Sequence, residues 1–253
     1  MTSFEIFDSL PSTQATAVDR LRAGEAGPGW ILAREQTKGV GRHGRTWVGR
    51  QGNFMASRYE TLTIDMRLVP QLSFVTALAL FEALAPIMPD AETNLRIKWP
   101  NDLLHCDRKL AGILVQTEII PDPERLGIVI GIGVNLAAAP EVAGYPTCSL
   151  REIAGEAIDP VNFLHRLDDC LAGIIKLWRS KGFEGITKAW LEHAYGRDMR
   201  LSLSQEGSAI SGHIKGLDTF GALLIAADDG QIHSITSGDI QYGAAKPFVG
   251  SLK

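Results

Sequence analysis

A glycine-rich stretch, residues 36–47, carries side chains suited to binding an anion. Its spaced glycines let the backbone adopt positive φ and bring N–H groups close to a ligand. Guanidinium and ammonium groups interleaved with those glycines favour phosphate. The sequence therefore predicts a loop that covers a phosphate-bearing ligand, with a solvated surface loop as the alternative. The charged residues in and beside the stretch are Arg34, Lys38, Arg42, Arg45 and Arg50, against Glu35 alone.

A second stretch, Lys-Trp-Pro-Asn-Asp at residues 98–102, places an amide and a carboxylate next to a proline. Pro100 should end a strand, so that Asn101 and Asp102 lie at a turn. Asn and Asp favour turns without any further role, which is one interpretation. The other makes Asp102 a Mg²⁺ ligand, direct or through water, with Asn101 on a nucleotide phosphate. This stretch alone does not decide between them.

Three further sites each allow a structural and a functional interpretation. Lys109 begins an apolar strand; its ammonium could extend to solvent at the strand end or reach a carboxylate or an α-phosphate. The glycines of residues 131–135 lie inside a strand, where they indicate either a bulge or a close approach of some other group to the backbone. Ser12 and Thr13, read alone, are suited to a helix N-cap and nothing more.

Composition limits the classes of function. The chain has 253 residues, of which 45% are hydrophobic, so it can bury a sizeable core. Its net charge of −4 argues against binding nucleic acid by bulk charge. Three widely spaced cysteines predict no disulfide framework. The N-terminus shows no signal-peptide pattern, and the longest apolar stretch is interrupted by Glu82, so we expect a soluble, cytoplasmic protein without membrane contact.

The hydrophobic pattern predicts an α/β fold in two parts. Up to Gly196 it indicates a mixed β-sheet backed by helices; from Met199 to Val249 short β runs indicate a small β-barrel. We therefore expect a large domain at residues 1–196 and a small second domain at residues 197–253. The predicted strands are 4–7, 30–33, 53–59, 95–99, 110–120, 126–136, 200–204, 208–217, 222–226, 231–236 and 240–242, and the predicted helices are 15–21, 69–88, 161–178 and 183–193.

Taken together, these motifs resemble biotin–protein ligase, and the resemblance covers nearly the whole chain. The two most specific matches are residues 98–102 and 108–114, Arg-Lys-Leu-Ala-Gly-Ile-Leu. The glycine-arginine loop at 39–45 with Trp47, the strand at 52–57 and the glycine strand ending at Asn135 also match. Residues 216–224 resemble the SH3-like barrel that follows the family's catalytic domain.

The resemblance implies an ATP-dependent reaction in two steps. Biotin's carboxylate attacks the α-phosphorus of ATP, with Mg²⁺ as cofactor, and gives biotinyl-AMP and pyrophosphate. A lysine of a biotin carboxyl carrier protein or domain then takes the biotinyl group and releases AMP. The resemblance implies neither a nucleic-acid nor a membrane partner, and it leaves a homodimer open.

The resemblance also assigns site residues. The catalytic candidates are Lys109, Arg42 and Asp102, with Asp102 also the metal ligand and a candidate base in the transfer step. The biotin-binding candidates are Ser12, Thr13, Gln14, Gln36, Gly39, Val40, Gly41, Arg42, Trp47, Lys109 and Gly112. The ATP-binding candidates are Arg42, Arg45, Trp47, Lys98, Asn101, Asp102, Lys109 and Asn135.

Two departures and several alternatives accompany this interpretation. Val40 and His43 stand where the family usually has arginine, which would weaken ligand binding if those side chains clamp the ligand. The chain begins directly at the catalytic domain, which favours the monofunctional type without a DNA-binding segment. The alternatives are a lipoate or octanoate protein ligase of the same fold, a non-catalytic biotin-sensing regulator, and an RNA-binding module built on the barrel, whose composition lacks a basic face.

Overall fold

A seven-stranded mixed β-sheet forms the larger part of the computed structural model, which describes residues 2–141, 145–156, 158–205, 208–238 and 240–243. The strand order is β1-β2-β3-β7-β6-β5-β4. Strands β1 and β2 are parallel, and every other neighbouring pair is antiparallel. The strands are β1 Ser3–Phe7, β2 Gly29–Ala33, β3 Phe54–Leu62, β4 Leu95–Lys98, β5 Asp102–His105, β6 Arg108–Glu118 and β7 Leu126–Val134.

Helices cover both faces of this sheet. Helix α1 (Thr13–Arg22) packs on one face, and helices α2 (Gln71–Leu84) and α5 (Pro160–Glu192) pack together on the other. Because successive residues of a strand point to opposite faces, β2 serves both layers. Trp30 and Leu32 join the large core that contains α2 and α5, whereas Ile31 joins the small core under α1.

Helix α2 is the apolar centre of the larger layer. The segment Met66–Ile87, which contains it, is long and apolar enough to cross a membrane by length and composition alone. Most of that segment is nevertheless buried inside the molecule, and residues such as Phe74 and Leu80 are at most 1% exposed. This burial accounts for its hydrophobicity as that of a core helix.

Helix α5 packs against α2 and is interrupted once. Asp159 caps its N-terminus by accepting hydrogen bonds from the backbone N–H groups of Val161 and Asn162. Gly182 interrupts the helix with a φ of 65°, a conformation that favours glycine. The break agrees with the two helical segments expected from the sequence, although the first continues to the break and the second ends at Glu192. Two short α-helices, α3 (Ala91–Asn94) and α4 (Leu150–Ala154), and three 3-10 segments, Arg42–Gly44, Met66–Leu68 and Ala85–Ile87, complete the helical part of the described residues.

A second, five-stranded antiparallel sheet follows α5, in the order β11-β10-β9-β8-β12. Its inward-facing residues, among them Leu203 and Leu223, belong to the same large core as α2 and α5. The two sheets are therefore packed together, and a domain boundary near residue 196 stays a prediction. Part of the barrel predicted up to Val249 lies outside the described residues. The strands are β8 Leu201–Gln205, β9 Ser208–Leu217, β10 Leu223–Ala227, β11 Ile232–Ile235 and β12 Ile240–Tyr242.

The α/β prediction is confirmed, and the differences are local. Residues 101–102 were expected at a turn: Asn101 does lie in the turn, whereas Asp102 begins strand β5 and pairs with Lys98 and Gly112. Strand β5 has four residues, too few for alternation to show in the sequence. Helix α4 is also absent from the predicted elements, because its five residues span little more than one helical turn, too few for a hydrophobic period to show.

Candidate functional site

A cavity of about 910 Å³ opens at the ends of β6 and β7, beneath the glycine-rich loop. Of the residues proposed from the sequence, all but Gly39 line it. Gly39 is buried at the base of the loop, where a Cβ would lie 2.5 Å from the carbonyl oxygen of Trp47. The lining candidates are Ser12, Thr13, Gln14, Gln36, Val40, Gly41, Arg42, Arg45, Trp47, Lys98, Asn101, Asp102, Lys109, Gly112 and Asn135.

The neutral end of the cavity, which consists of Thr13, Gln14, Gln36 and Ser57, is a buried network of hydrogen bonds. Gln36 Oε1 accepts from the backbone N–H of Thr13 at 2.7 Å and from its hydroxyl at 3.0 Å. The Ser57 hydroxyl lies 2.9 Å from that of Thr13 and donates to Gln14 Oε1 at 3.2 Å. Such uncharged donors and acceptors suit a neutral, polar ligand group.

One further polar residue at the cavity wall also holds the backbone. Ser12 caps helix α1, since its hydroxyl accepts from the N–H of Ala15 at 3.4 Å. The N-cap expected from the sequence is therefore present, and it places Ser12 and Thr13 at the cavity wall. Gly131 lies opposite, where any Cβ would collide with Gln14 Oε1, so glycine is needed for the network to reach the strand.

The charged end of the cavity consists of Lys109, Asp102, Arg42 and Asn101. Lys109 Nζ is 2.7 Å from Asp102 Oδ1, and both side chains are mostly buried. Arg42 Nη1 donates to Asn101 Oδ1 at 3.0 Å, and Asn101 Nδ2 donates to the Ile113 carbonyl at 2.6 Å. The structure thus brings together the two cations and the carboxylate proposed for catalysis.

Tyr145 adds a neutral donor to this end that the sequence did not indicate. Its hydroxyl donates to Asp102 Oδ2 at 3.1 Å. Burial, together with the neighbouring Asp102 carboxylate, raises the pKa of Tyr145 far above its ordinary value, so the phenol keeps its proton at neutral pH. The ring also lies near the ammonium groups of Lys98, at 5.3 Å, and Lys109, at 5.6 Å.

The two ends are joined by a glycine floor, Gly112 and Gly133, on which Trp47 lies. A Cβ at Gly133 would collide with the indole, and one at Gly112 would come 3.3 Å from it. The indole N–H of Trp47 is buried and has no hydrogen-bond partner among the described residues. The close approach predicted from the glycines of β7 is therefore made by Trp47.

The glycine-rich loop itself is a tight hairpin. Gly41 N donates to Arg45 O at 2.7 Å, and Trp47 N donates to Gly39 O at 3.0 Å. His43 at its tip is exposed and has a φ of 55°, and Val40 is 47% exposed. Both side chains line the cavity, so the two positions where the family pattern has arginine do face the ligand space.

Asn135 is placed by its backbone surroundings. Its side-chain nitrogen donates to the Cys148 carbonyl at 3.1 Å and to the Lys109 carbonyl at 3.4 Å. Its Oδ1 is buried without a partner in the described part of the chain. Only this oxygen is available to a ligand, so the predicted contact with a nucleotide requires a donor on the nucleotide.

A metal would be held by few protein groups. No group of three or more His, Cys, Asp or Glu residues with metal-binding proximity occurs within the described residues. Asp102 is the one carboxylate among the described residues that line the cavity. This fits Mg²⁺, which is often bound through one or two carboxylates together with substrate phosphates and water.

Several lining residues were not among the predicted site residues. Ser57 lies on β3 in the matched segment 52–57, so the motif could have indicated it. Tyr145 and Thr147 lie in a loop with no motif, and Ser237, Gly238 and Ile240 come from the second sheet, which no local pattern could link to the cavity.

Comparisons with known proteins agree with this geometry. A family model described as "Biotin/lipoate A/B protein ligase family" matches residues 6–135, and one described as "Biotin protein ligase C terminal domain" matches residues 200–243. The chain is 38% identical over 230 residues to a biotin--[acetyl-CoA-carboxylase] ligase of Paracoccus denitrificans, covering 87% of this chain and 92% of the relative.

More distant relatives show the same agreement. The bifunctional ligase/repressor BirA of Escherichia coli is 31% identical over 254 residues, covering 96% of this chain and 75% of that protein. Among solved structures, the biotin protein ligase from Aquifex aeolicus in complex with biotin and ATP is 27% identical and superposes with a TM-score of 0.76, covering 96% of this chain and 99% of that one.

Proposed function

The chain belongs to the biotin/lipoate A/B protein ligase family, and we propose that it joins biotin to a lysine of a carrier protein at the expense of ATP. The observation that carries the proposal is the cavity with a neutral polar end, a glycine floor under Trp47, and a charged end, all lined by the matched motifs. A biotin ligase with bound biotin and ATP has the same fold.

The reaction has two steps. A biotin carboxylate oxygen bonds to the α-phosphorus of ATP, and the bond to the β-phosphate oxygen breaks to release pyrophosphate. In the second step the lysine nitrogen bonds to the acyl carbon, the bond to the AMP oxygen breaks, and the amine loses a proton. The products are AMP and a biotinyl amide.

The neutral end would bind the ureido group of biotin. That group is polar but uncharged and needs donors and acceptors together. Thr13, Gln36 and Ser57 already hold one another in place, so little side-chain freedom is lost when the ligand binds. Trp47 would pack on the apolar part of the ligand above the glycine floor.

The charged end would bring two anions together. In the first step the biotin carboxylate must approach a triphosphate, and Lys109 and Arg42 would offset their repulsion. For this, Lys109 must turn from Asp102 toward the ligand. The cavity could also hold Mg²⁺ at Asp102, which would neutralise phosphate charge when bound.

The second step needs a neutral amine. A free lysine has a pKa of roughly 10.4, so the acceptor is mostly protonated at neutral pH. Asp102 is the candidate to receive its proton, because it is the one carboxylate among the described residues that line the cavity. Asn135 Oδ1 would accept from a donor on the nucleotide base.

The protein partner is a biotin carrier. The name of the Paracoccus relative supports the carrier domain of acetyl-CoA carboxylase as the particular substrate.

The test is pyrophosphate release from ATP and Mg²⁺ that depends on biotin. We expect release with biotin and little with lipoate or octanoate, and we expect the carrier domain to gain one biotinyl group. Release driven equally by lipoate or octanoate would instead support the alternative ligases of this fold. Binding of biotin without any pyrophosphate release would support a non-catalytic sensor.

A further inference from the structure

A second cavity, of about 470 Å³, lies between the two sheets. We call it the intersheet groove; it is lined by Val69, Ser73, Trp99, Asn101, Phe220 and Thr236, among others. Val69 lies just before α2, and Ser73 lies in its first turn. Phe220 and Thr236 belong to loops of the second sheet. The groove walls are mainly apolar, and its outer rim carries Phe220, which is 47% exposed.

The intersheet groove is continuous with the candidate active site. Arg42, Trp99, Pro100 and Asn101 line both cavities. The hydrogen bond from Arg42 Nη1 to Asn101 Oδ1, 3.0 Å long, lies where the two meet. Arg42 and Asn101 therefore lie at the junction between the groove and the charged end of the active cavity.

The wall formed by the second sheet is preorganised. Asp218 Oδ1 accepts from the backbone N–H groups of Phe220 at 2.8 Å and Ala222 at 2.9 Å, which fixes the turn. Gln71 Nε2 donates to the Thr219 carbonyl at 2.8 Å, and Trp99 Nε1 donates to the Gly221 carbonyl at 3.1 Å. The turn is therefore held against α2 and β4 before any partner binds.

The chemistry requires a route of this kind. The glycine-rich loop lies over the active cavity, and a loop that shields a water-labile anhydride also blocks that side. The acceptor is a folded protein that cannot enter, so only a single side chain can reach the acyl carbon. A lysine has a flexible four-carbon stem, which suits apolar walls, and a polar tip, which suits Asn101 and Ser73 at the inner end.

Arg42 adds a reason why a lysine suits this route. A cation close to the inner end disfavours a second positive charge and so lowers the pKa of an incoming ammonium. An amine that arrives beside Arg42 would lose its proton more readily, as the transfer step requires.

We propose that the intersheet groove is the route by which the acceptor lysine of the carrier protein reaches the adenylate, with the Phe220 turn contacting the carrier around that lysine. This rests on the proposed ligase function. It gives the second sheet a direct part in recognising the protein substrate.

The test is to narrow the groove from its exposed side. Thr236 is exposed and lines the groove but not the active cavity, so Thr236→Trp should fill the groove without disturbing the core. Thr93→Trp is the matched control, since Thr93 is an exposed residue of α3 outside both cavities. For each variant we would measure three rates: biotin-dependent pyrophosphate release, transfer from bound adenylate to the carrier domain, and transfer to hydroxylamine, a small nucleophile.

For Thr236→Trp we expect pyrophosphate release and hydroxylamine reaction within about twofold of the unmodified enzyme, and transfer to the carrier reduced on the order of a hundredfold. Thr93→Trp should match the unmodified enzyme in all three. Undiminished carrier transfer in Thr236→Trp would overturn the route, and so would an equal loss of pyrophosphate release, which would make the groove part of the adenylation site. Failure of the unmodified enzyme to release pyrophosphate would instead overturn the ligase function.

Discussion

The neutral and charged ends of the active cavity are built in opposite ways. At the neutral end, Thr13 and Ser57 are at most 3% exposed. Before any ligand binds, Thr13 is hydrogen-bonded to Gln36 and Ser57 to Gln14. At the charged end, Lys109 and Asp102 neutralise each other and are 22% and 15% exposed. The comparison teaches that a fixed network can select a ligand, whereas the groups that act on developing charge must be able to change partners.

The largest expected effect comes from a substitution at the charged end. Lys109→Ala removes the cation that offsets the repulsion between carboxylate and α-phosphate. Loss of such a group costs on the order of 3 kcal/mol, or about a hundredfold in kcat for pyrophosphate release. Lys176→Ala, at an exposed position on α5, is the control. Unchanged pyrophosphate release in Lys109→Ala would show that the two ends do not differ in role.

A substitution at the neutral end should change the KM for biotin rather than kcat. Gln36→Ala leaves the Thr13 N–H and hydroxyl without their acceptor, which costs about 1–3 kcal/mol in a buried site. We therefore expect about a tenfold rise in KM for biotin with kcat nearly unchanged. Gln231→Ala, at an exposed glutamine of the second sheet, is the control. A fall in kcat equal to that of Lys109→Ala would contradict the division between ends.

The loop that closes the charged end should show a smaller effect. Arg42→Gly removes the hydrogen bond to Asn101 and frees the loop, so biotinyl-AMP should escape. We expect several-fold more labelling of a bystander protein that lacks a carrier domain, with adenylate synthesis less affected. Hydrogen exchange of the loop should fall when biotinyl-AMP binds. If the variant makes adenylate but labels the bystander no more than the unmodified enzyme, Arg42 does not retain the intermediate.

The smallest expected effect is on stability at alkaline pH. The folded protein raises the pKa of Tyr145, whereas an unfolded tyrosine ionises near pH 10. The folded state therefore keeps a proton that the unfolded state loses, and this contribution to stability is present below about pH 10 and falls as the pH rises further. Tyr145→Phe should lose less thermal stability between pH 9 and pH 11 than the unmodified protein. Equal pH profiles would show that the Tyr145 proton is not held by the charged end.

The same contrast describes what the sequence could reveal. Lys109, Asp102 and Arg42 lie in short segments of unusual composition, and their types alone indicate an anion site. The neutral end consists of ordinary polar residues, and Ser12 and Thr13 by themselves predict only a helix cap. Their role followed from the family resemblance, and the structure then placed them together with Ser57.

What the sequence could not supply comes from long-range packing. Tyr145 is 43 residues from Asp102, to which it donates a hydrogen bond, and it lies in no recognisable motif. The turn at Phe220 reaches Trp99 and Gln71 only because the second sheet packs on α2, through contacts separated by 122 and 148 positions in the chain. Hydrophobic periodicity reports on one helix or strand at a time. It therefore predicts strands well but predicts poorly which elements pack against each other.

The position of Trp47 gives the enzyme its own optical signal. Trp30, Trp99 and Trp178 donate their indole N–H groups to Asp168, Gly221 and Gln71, respectively. Trp190 is fully buried in the core. Trp47 alone combines a place over the glycine floor with an indole N–H that has no partner among the described residues. A ligand that packs on this indole would change the polarity around it, so tryptophan emission should report ligand binding without an added dye.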